Sequence, residues 1–163
     1  PADLVAKVGG VAPGDIIAPP QVVSTGLPFC ITVLRSRAAL EGLKLNPKAL
    51  GAYNAHLGQG SDMMEPFWVT LEGATAAGNT YARLLLAPPS PAEDPFTGSA
   101  TGAMAACLWA RGLIDSPNFV AEQGYLMGRP GRAEEAAGAV FLLCLPEADY
   151  ITGQVLVCDG GRL

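Results

Sequence analysis

Apolar stretches and their Gly and Pro breaks divide this chain into short elements. PADLVAKVGG reads as a helix over Asp3 to Val8, stopped by a Gly pair and Pro13. PQVVSTGLPFCITVL predicts a strand, a Ser-Thr-Gly-Leu-Pro break and a second strand. RAALEGL and PKALGAYNAHLG predict short helical turns, and EPFWVTLEG and NTYARLLLAP two strands joined by a small Ala/Gly loop. NFVAEQGYLMGRPGRA predicts a strand pair around Gly124 and Gly128.

One segment breaks this pattern. In AEDPFTGSATGAMAACLWARGLI, Thr97, Gly98 and Ser99 supply helix start signals and Gly112 a stop. The residues from Ala100 to Ala110 between them are small or apolar almost throughout. A helix that is apolar on every side is a buried one. The expected fold is therefore α+β: an antiparallel sheet or barrel rolled around one central buried helix, with a short helix-strand tail. Trp68 and Trp109 read as core anchors.

Composition narrows the class. Half of the 163 residues are hydrophobic and 15% are charged, enough to build a core. The net charge of −5 and the lack of a basic run argue against a nucleic-acid surface. No apolar run approaches the ~20 residues that span a bilayer. Cys30, Cys107, Cys144 and Cys158 are far apart and lack metal-ligand spacing, so they read as reduced thiols in a cytoplasmic protein. His56 reads as a surface or loop residue.

The helix start is where chemistry concentrates. A helix N-terminus carries unpaired N–H groups and about half a positive charge. Gly98 lets a ligand approach that backbone, so an anionic group such as a carboxylate fits there. Asp94 lies just upstream, beyond Pro95, where it can handle a proton at the same spot. Glu93 should face the opposite side, because neighbours in an extended segment alternate. Arg83 could pair with a ligand carboxylate or with Asp94. Asp, Thr and Ser ahead of a helix are also the ordinary capping residues, and by local rules alone capping is the commoner role.

These residues carry a resemblance. EDPFTGSATGAMAACLWARGLI, FVAEQGYLMGRPGRA, VVSTGLPF and YARLLLAP together resemble the PhzF-like isomerases of phenazine biosynthesis, from about Asp3 to about Glu134. The resemblance implies a diaminopimelate-epimerase-like fold of two similar halves with the active site between them, and this chain resembles the second half. It implies catalytic roles for Asp94 and Ser99, and substrate contacts from Thr97, Gly98, Ala100, Thr25 and Gly26. The implied reaction is proton-shuttling isomerisation of a small carboxylate-bearing metabolite, with no cofactor and no metal. The family's principal acid/base is a Glu of the first half, which lies outside this sequence; a start at Pro1 rather than Met fits that expectation. Thr101 stands where many members carry His, and Leu85 where they carry Phe.

From about Glu134 the chain instead resembles the C-terminal end of short-chain dehydrogenases/reductases, in EEAAGAVFLLCLPEADYITGQVLVCDGG. The expected organisation is an isomerase half-domain over 1–134 and a reductase-like tail over 135–163. Reductase chemistry needs a Gly-rich dinucleotide turn and, in that family, a Tyr-x-x-x-Lys pair. The sequence has neither: Tyr53, Tyr81, Tyr125 and Tyr150 are followed four residues on by Leu57, Leu85, Arg129 and Gln154. The expected partners are a small carboxylate substrate and the missing N-terminal half, with a homodimer also allowed. The competing reading is a non-catalytic fragment that at most binds a small carboxylate.

Overall fold

A computed structural model describes residues 1–58, 65–116 and 118–124, together with Ala137. The elements in chain order are α1 (Ala2–Gly9), β1 (Gln21–Ser24), β2 (Pro28–Leu34), α2 (Arg37–Glu41), α3 (Pro47–Leu57), β3 (Phe67–Thr70), β4 (Thr80–Leu85), β5 (Glu93–Asp94), α4 (Gly98–Ala110) and β6 (Ala121–Gln123). Each predicted helix and strand from α1 to α4 is present. Their ends follow local chemistry: Gly10 adopts the left-handed conformation after α1, Ser36 caps α2, and Asn46 caps α3 ahead of Pro47.

The strands form one sheet in the order β1-β2-β3-β4-β5, with β6 also pairing with β4. The sheet is mixed rather than antiparallel as the sequence suggested: β2 runs parallel to β3, and β4 parallel to β6. The cause is the connection. Between β2 and β3 the chain passes through α2 and α3, and a helical crossover returns it in the same direction. β5 and β6 share one edge of β4 end to end, with β6 beside Thr80–Ala82 and β5 beside Leu84 and Leu85.

Strand alternation divides the core in two. Phe29, Ile31, Val33, Phe67, Val69, Ala82 and Leu84 face α4. Cys30, Leu34, Trp68, Tyr81 and Leu85 face α1, α2 and α3. The helix α4 packs against β1 and β2. Its buried residues are Ala100, Ala103, Met104, Cys107 and Leu108, the i, i+3, i+4, i+7, i+8 spacing of a one-sided helix. Ala106, Trp109 and Ala110 are exposed, Trp109 to 50%. The expected central helix is thus a helix on one face of the sheet, and the described strands do not wrap it. Trp68 is a core anchor and Trp109 is not. β3 and β4, buried along their whole length, are the most enclosed elements.

Cys30 and Cys107 are free and buried, in keeping with reduced core thiols. The strand expected around Gly128, Cys144, Cys158 and the helix-strand tail lie outside the described residues.

Candidate functional site

The junction where β5, β6 and α4 meet assembles the predicted chemistry. Leu84 of β4 is the cross-strand partner of Asp94, and Leu85 that of Glu93. The two acids therefore face opposite sides of the sheet. Glu93 lies on the three-helix side, where both its oxygens take N–H groups of the Arg83 guanidinium; both residues are buried. Arg83 also donates to the carbonyls of Leu40 (2.8 Å) and Glu41 (3.0 Å). This answers the question left open for Arg83: its carboxylate partner is Glu93, not Asp94.

Asp94 is half-buried on the α4 side. Its Oδ2 accepts the Thr97 hydroxyl at 2.7 Å, and its Oδ1 the Phe96 N–H at 3.3 Å. Such a short-range carboxylate-to-backbone turn is typical of Asp. Thr97 occupies the N-cap position of α4, yet its side chain makes no cap hydrogen bond to the helix. Its hydroxyl is turned to Asp94 instead. The first turn of α4 thus presents its N–H groups without the usual side-chain oxygen over them.

Around this helix end the backbone is open. A Cβ added at Gly98 would meet nothing within 4 Å, nor would one at Gly26, whose φ of 145° lies where side chains are disfavoured. The β1–β2 turn crosses nearby, where Thr25 Oγ1 donates to the Ser99 carbonyl at 3.2 Å. A Cβ at Gly102 would come within 3.0 Å of that Thr25 oxygen, so glycine permits the close approach of turn and helix. Ser99 is half-buried and Ala100 fully so. Thr101 donates its hydroxyl back to the Thr97 carbonyl at 3.0 Å.

The structure thus brings together Asp94, Thr97, Gly98, Ser99, Ala100 and Thr25, while Gly26 follows Thr25 in the turn and bonds to Ser24. It adds a residue that sequence reasoning missed. Gln123, only 5% exposed, bonds to Thr97 through both ends of its amide and also to the Asp94 carbonyl. Its position rests on β6, whose end is tied by the Tyr81 hydroxyl donating to the Gly124 carbonyl at 2.7 Å. Gly124 has a φ of 102°, and a Cβ there would lie 3.1 Å from the Pro95 carbonyl oxygen. The only local signal was a Gln before a Gly inside an apolar segment.

A hollow of about 420 Å³ lies on the other side of the sheet, lined by Leu43, Pro47, Leu85 and the Arg83–Glu93 pair, so it does not serve Asp94. On that side burial pushes the Tyr81 phenol up to about 12 and raises Cys30 and Tyr53 from their ordinary values. No group of side chains suited to a metal ion occurs among the described residues. No described helix is long and apolar enough to cross a membrane.

The model of a family described as phenazine biosynthesis-like protein matches residues 4–154, almost the whole chain. The chain belongs to this family. Its fold is similar to the crystal structure of the Bacillus anthracis phenazine biosynthesis protein of the PhzF family, with a TM-score of 0.61 and 21% identity over 81% of this chain. That alignment takes in 45% of the Bacillus protein, so the chain spans less than half its length. Short stretches are also similar to tropinone reductase homologs of Arabidopsis thaliana. One is 56% identical over 41 residues, 25% of this chain and 16% of that protein; another is 40% identical over 74 residues, 34% and 28%.

Proposed function

We propose that this chain is the second half of a cofactor-independent, proton-shuttling isomerase acting on a small carboxylate-bearing metabolite. The observation that carries the reading is the orientation of Thr97. Its hydroxyl binds Asp94 rather than the first turn of α4. A proton-handling carboxylate therefore stands beside a helix end whose amides are free of a side-chain cap. In this reading the substrate carboxylate sits over Gly98, Ser99 and Ala100, with Thr25 and Gly26 at its flank. Asp94 orients the substrate or carries a proton, and Ser99 offers its hydroxyl and backbone N–H. The other acid/base comes from the missing half. The tail over 135–163 has no Tyr-x-x-x-Lys pair, and this reading gives it no reductase chemistry.

The test is to supply the missing half, as a separate domain or a restored gene, and to follow deuterium exchange into candidate substrates. Asp94→Asn should lower turnover about 10²-fold or more while the fold persists. Full turnover of that variant would reduce Asp94 to a structural turn residue. The isolated chain should catalyse no exchange, because in this reading the principal acid/base belongs to the other half.

A second reading is a carboxylate-binding protein without turnover, because the Asp94 contacts to Phe96 and Thr97 are also those of an ordinary Asp turn. Binding without turnover in the restored enzyme would favour it.

A further inference from the structure

The amide of Gln123 has one orientation that its neighbours permit. The Thr97 N–H can only donate and the Asp94 carbonyl can only accept. The first therefore faces Gln123 Oε1, at 3.0 Å, and the second faces Gln123 Nε2, at 2.9 Å. This arrangement leaves the other contact of Nε2, to Thr97 Oγ1 at 2.9 Å, as a donation into the hydroxyl oxygen. The single hydroxyl proton of Thr97 then points at Asp94 Oδ2, 2.7 Å away.

We propose that Gln123 is the positioning residue of this site: through Thr97 it aims a hydroxyl proton at Asp94 and keeps the cap residue turned away from the α4 amides. The assignment rests on the reading of Asp94 as the proton-handling group. Without Gln123, the Asp94 carboxylate alone holds the Thr97 hydroxyl against rotating to the position an N-cap oxygen ordinarily takes, over the first turn of the helix. The hydroxyl would be aimed less firmly at Asp94, and the uncapped helix end would be freer to close.

Asp94 offers a readout that does not depend on turnover. Among the described residues, no other ionisable side chain of β4, β5, β6 or the first turn of α4 shares its face. Arg83 and Glu93 pair on the opposite side, and Glu122 is bonded there to the Ala74 and Thr75 amides and the Thr75 hydroxyl. From the β1–β2 turn Thr25, which carries no charge, bonds to the Ser99 carbonyl. A change in the Asp94 carboxyl carbon resonance at one neutral pH therefore reports on its hydrogen bonds.

The experiment follows the Asp94 carboxyl carbon by NMR at one neutral pH in this chain. It compares the parent, Gln123→Met, Thr97→Val and the double variant. Losing the aimed donor changes the surroundings of the carboxylate, so Gln123→Met should move the Asp94 resonance in the direction that Thr97→Val moves it. The double variant should match Thr97→Val alone. A Gln123→Met resonance equal to the parent's would overturn the assignment. So would a shift that adds in full on top of Thr97→Val. If Gln123→Met loses the fold, Gln123→Asn keeps a neutral amide that is one methylene shorter. Its shift should shrink in the Thr97→Val background, and an undiminished shift would overturn the proposal. Full turnover of Asp94→Asn in the restored enzyme would sink the isomerase reading and leave this coupling intact. Absence of coupling would sink only the role of Gln123.

Discussion

Glu93 and Asp94 are adjacent carboxylates on one short strand, and the sheet gives them opposite roles. Glu93 enters the side covered by three helices, where the Arg83 guanidinium takes both its oxygens away from water. Asp94 enters the side bearing α4, where its partners are a hydroxyl and one backbone N–H. Nearby Phe96 stands 71% exposed, and Trp109 half so at the far end of α4. On one side the carboxylate is buried and paired with a guanidinium. The other leaves polar groups and backbone donors accessible. A buried ion pair is costly to break, whereas a half-buried acid with neutral partners is chemically available. The difference locates stability on one face and candidate chemistry on the other.

The sharpest way to break this comparison is to neutralise the closed side. Glu93→Gln removes the carboxylate that both ends of the buried Arg83 guanidinium grip and should cost about 3 kcal/mol. The double change Arg83→Met with Glu93→Leu should recover most of that loss, since a packed apolar pair removes both charges together. Urea denaturation checks both. An exposed-like cost for Glu93→Gln, within about 0.5 kcal/mol, would mean the three-helix side is wetter than its geometry indicates.

The two tryptophans extend the same test. Trp68 is fully buried under α1 and α2, while Trp109 stands half exposed on α4. Trp68→Ala should cost about 3–5 kcal/mol, and Trp109→Ala about 0.5 kcal/mol or less. Comparable melting losses for the two would show that α4 is covered on its outer side after all.

How much of this was legible beforehand follows the range of each signal. The elements were readable because Gly and Pro punctuate the chain: Gly10 after α1, Pro47 opening α3, Gly112 beyond α4. The opposed faces of Glu93 and Asp94 were readable from strand alternation alone. The one-sidedness of α4 was not, because its outer face carries Ala106, Trp109 and Ala110 rather than polar residues. The parallel pairing of β2 and β3 was implicit in the two intervening helices but was not drawn from them. Gln123 was invisible for a different reason. Its role exists only because β6 lies beside β5 along one edge of β4, about thirty residues away in sequence, and no local pattern announces that.

A smaller effect should appear with base. Tyr81, 1% exposed, has its phenol pushed up to about 12 by burial, against about 10 in an unfolded chain. Its contribution is fully present below about pH 10 and is lost as pH rises towards 12, because the unfolded state ionises first. Cys30 and Tyr53, raised by the same cause on the same side, act in the same direction. Melting temperature should fall above about pH 9, with a loss on the order of 1 kcal/mol from Tyr81 by pH 11. Tyr81→Phe should flatten part of that slope. It also removes the bond to Gly124 and should loosen β6.

A small change in stability should come from the acid on the open side. Asp94→Asn keeps one oxygen for the Phe96 N–H, and Asn supports the same short turn, but the amide nitrogen that replaces the second oxygen cannot accept the Thr97 hydroxyl. Also lost is a charge near the start of α4, which contributes about 0.3–1 kcal/mol in an exposed setting. The expected cost is therefore about 1 kcal/mol, less than that of the matching change one residue earlier. Denaturation of Glu93→Gln and Asp94→Asn side by side isolates the environment, because the chemistry of the substitution is the same. Equal costs would mean that Asp94 is held as tightly as Glu93, as a structural acid. A small cost joined to a large loss of turnover in the restored enzyme would show the reverse: a residue the fold can do without and the reaction cannot.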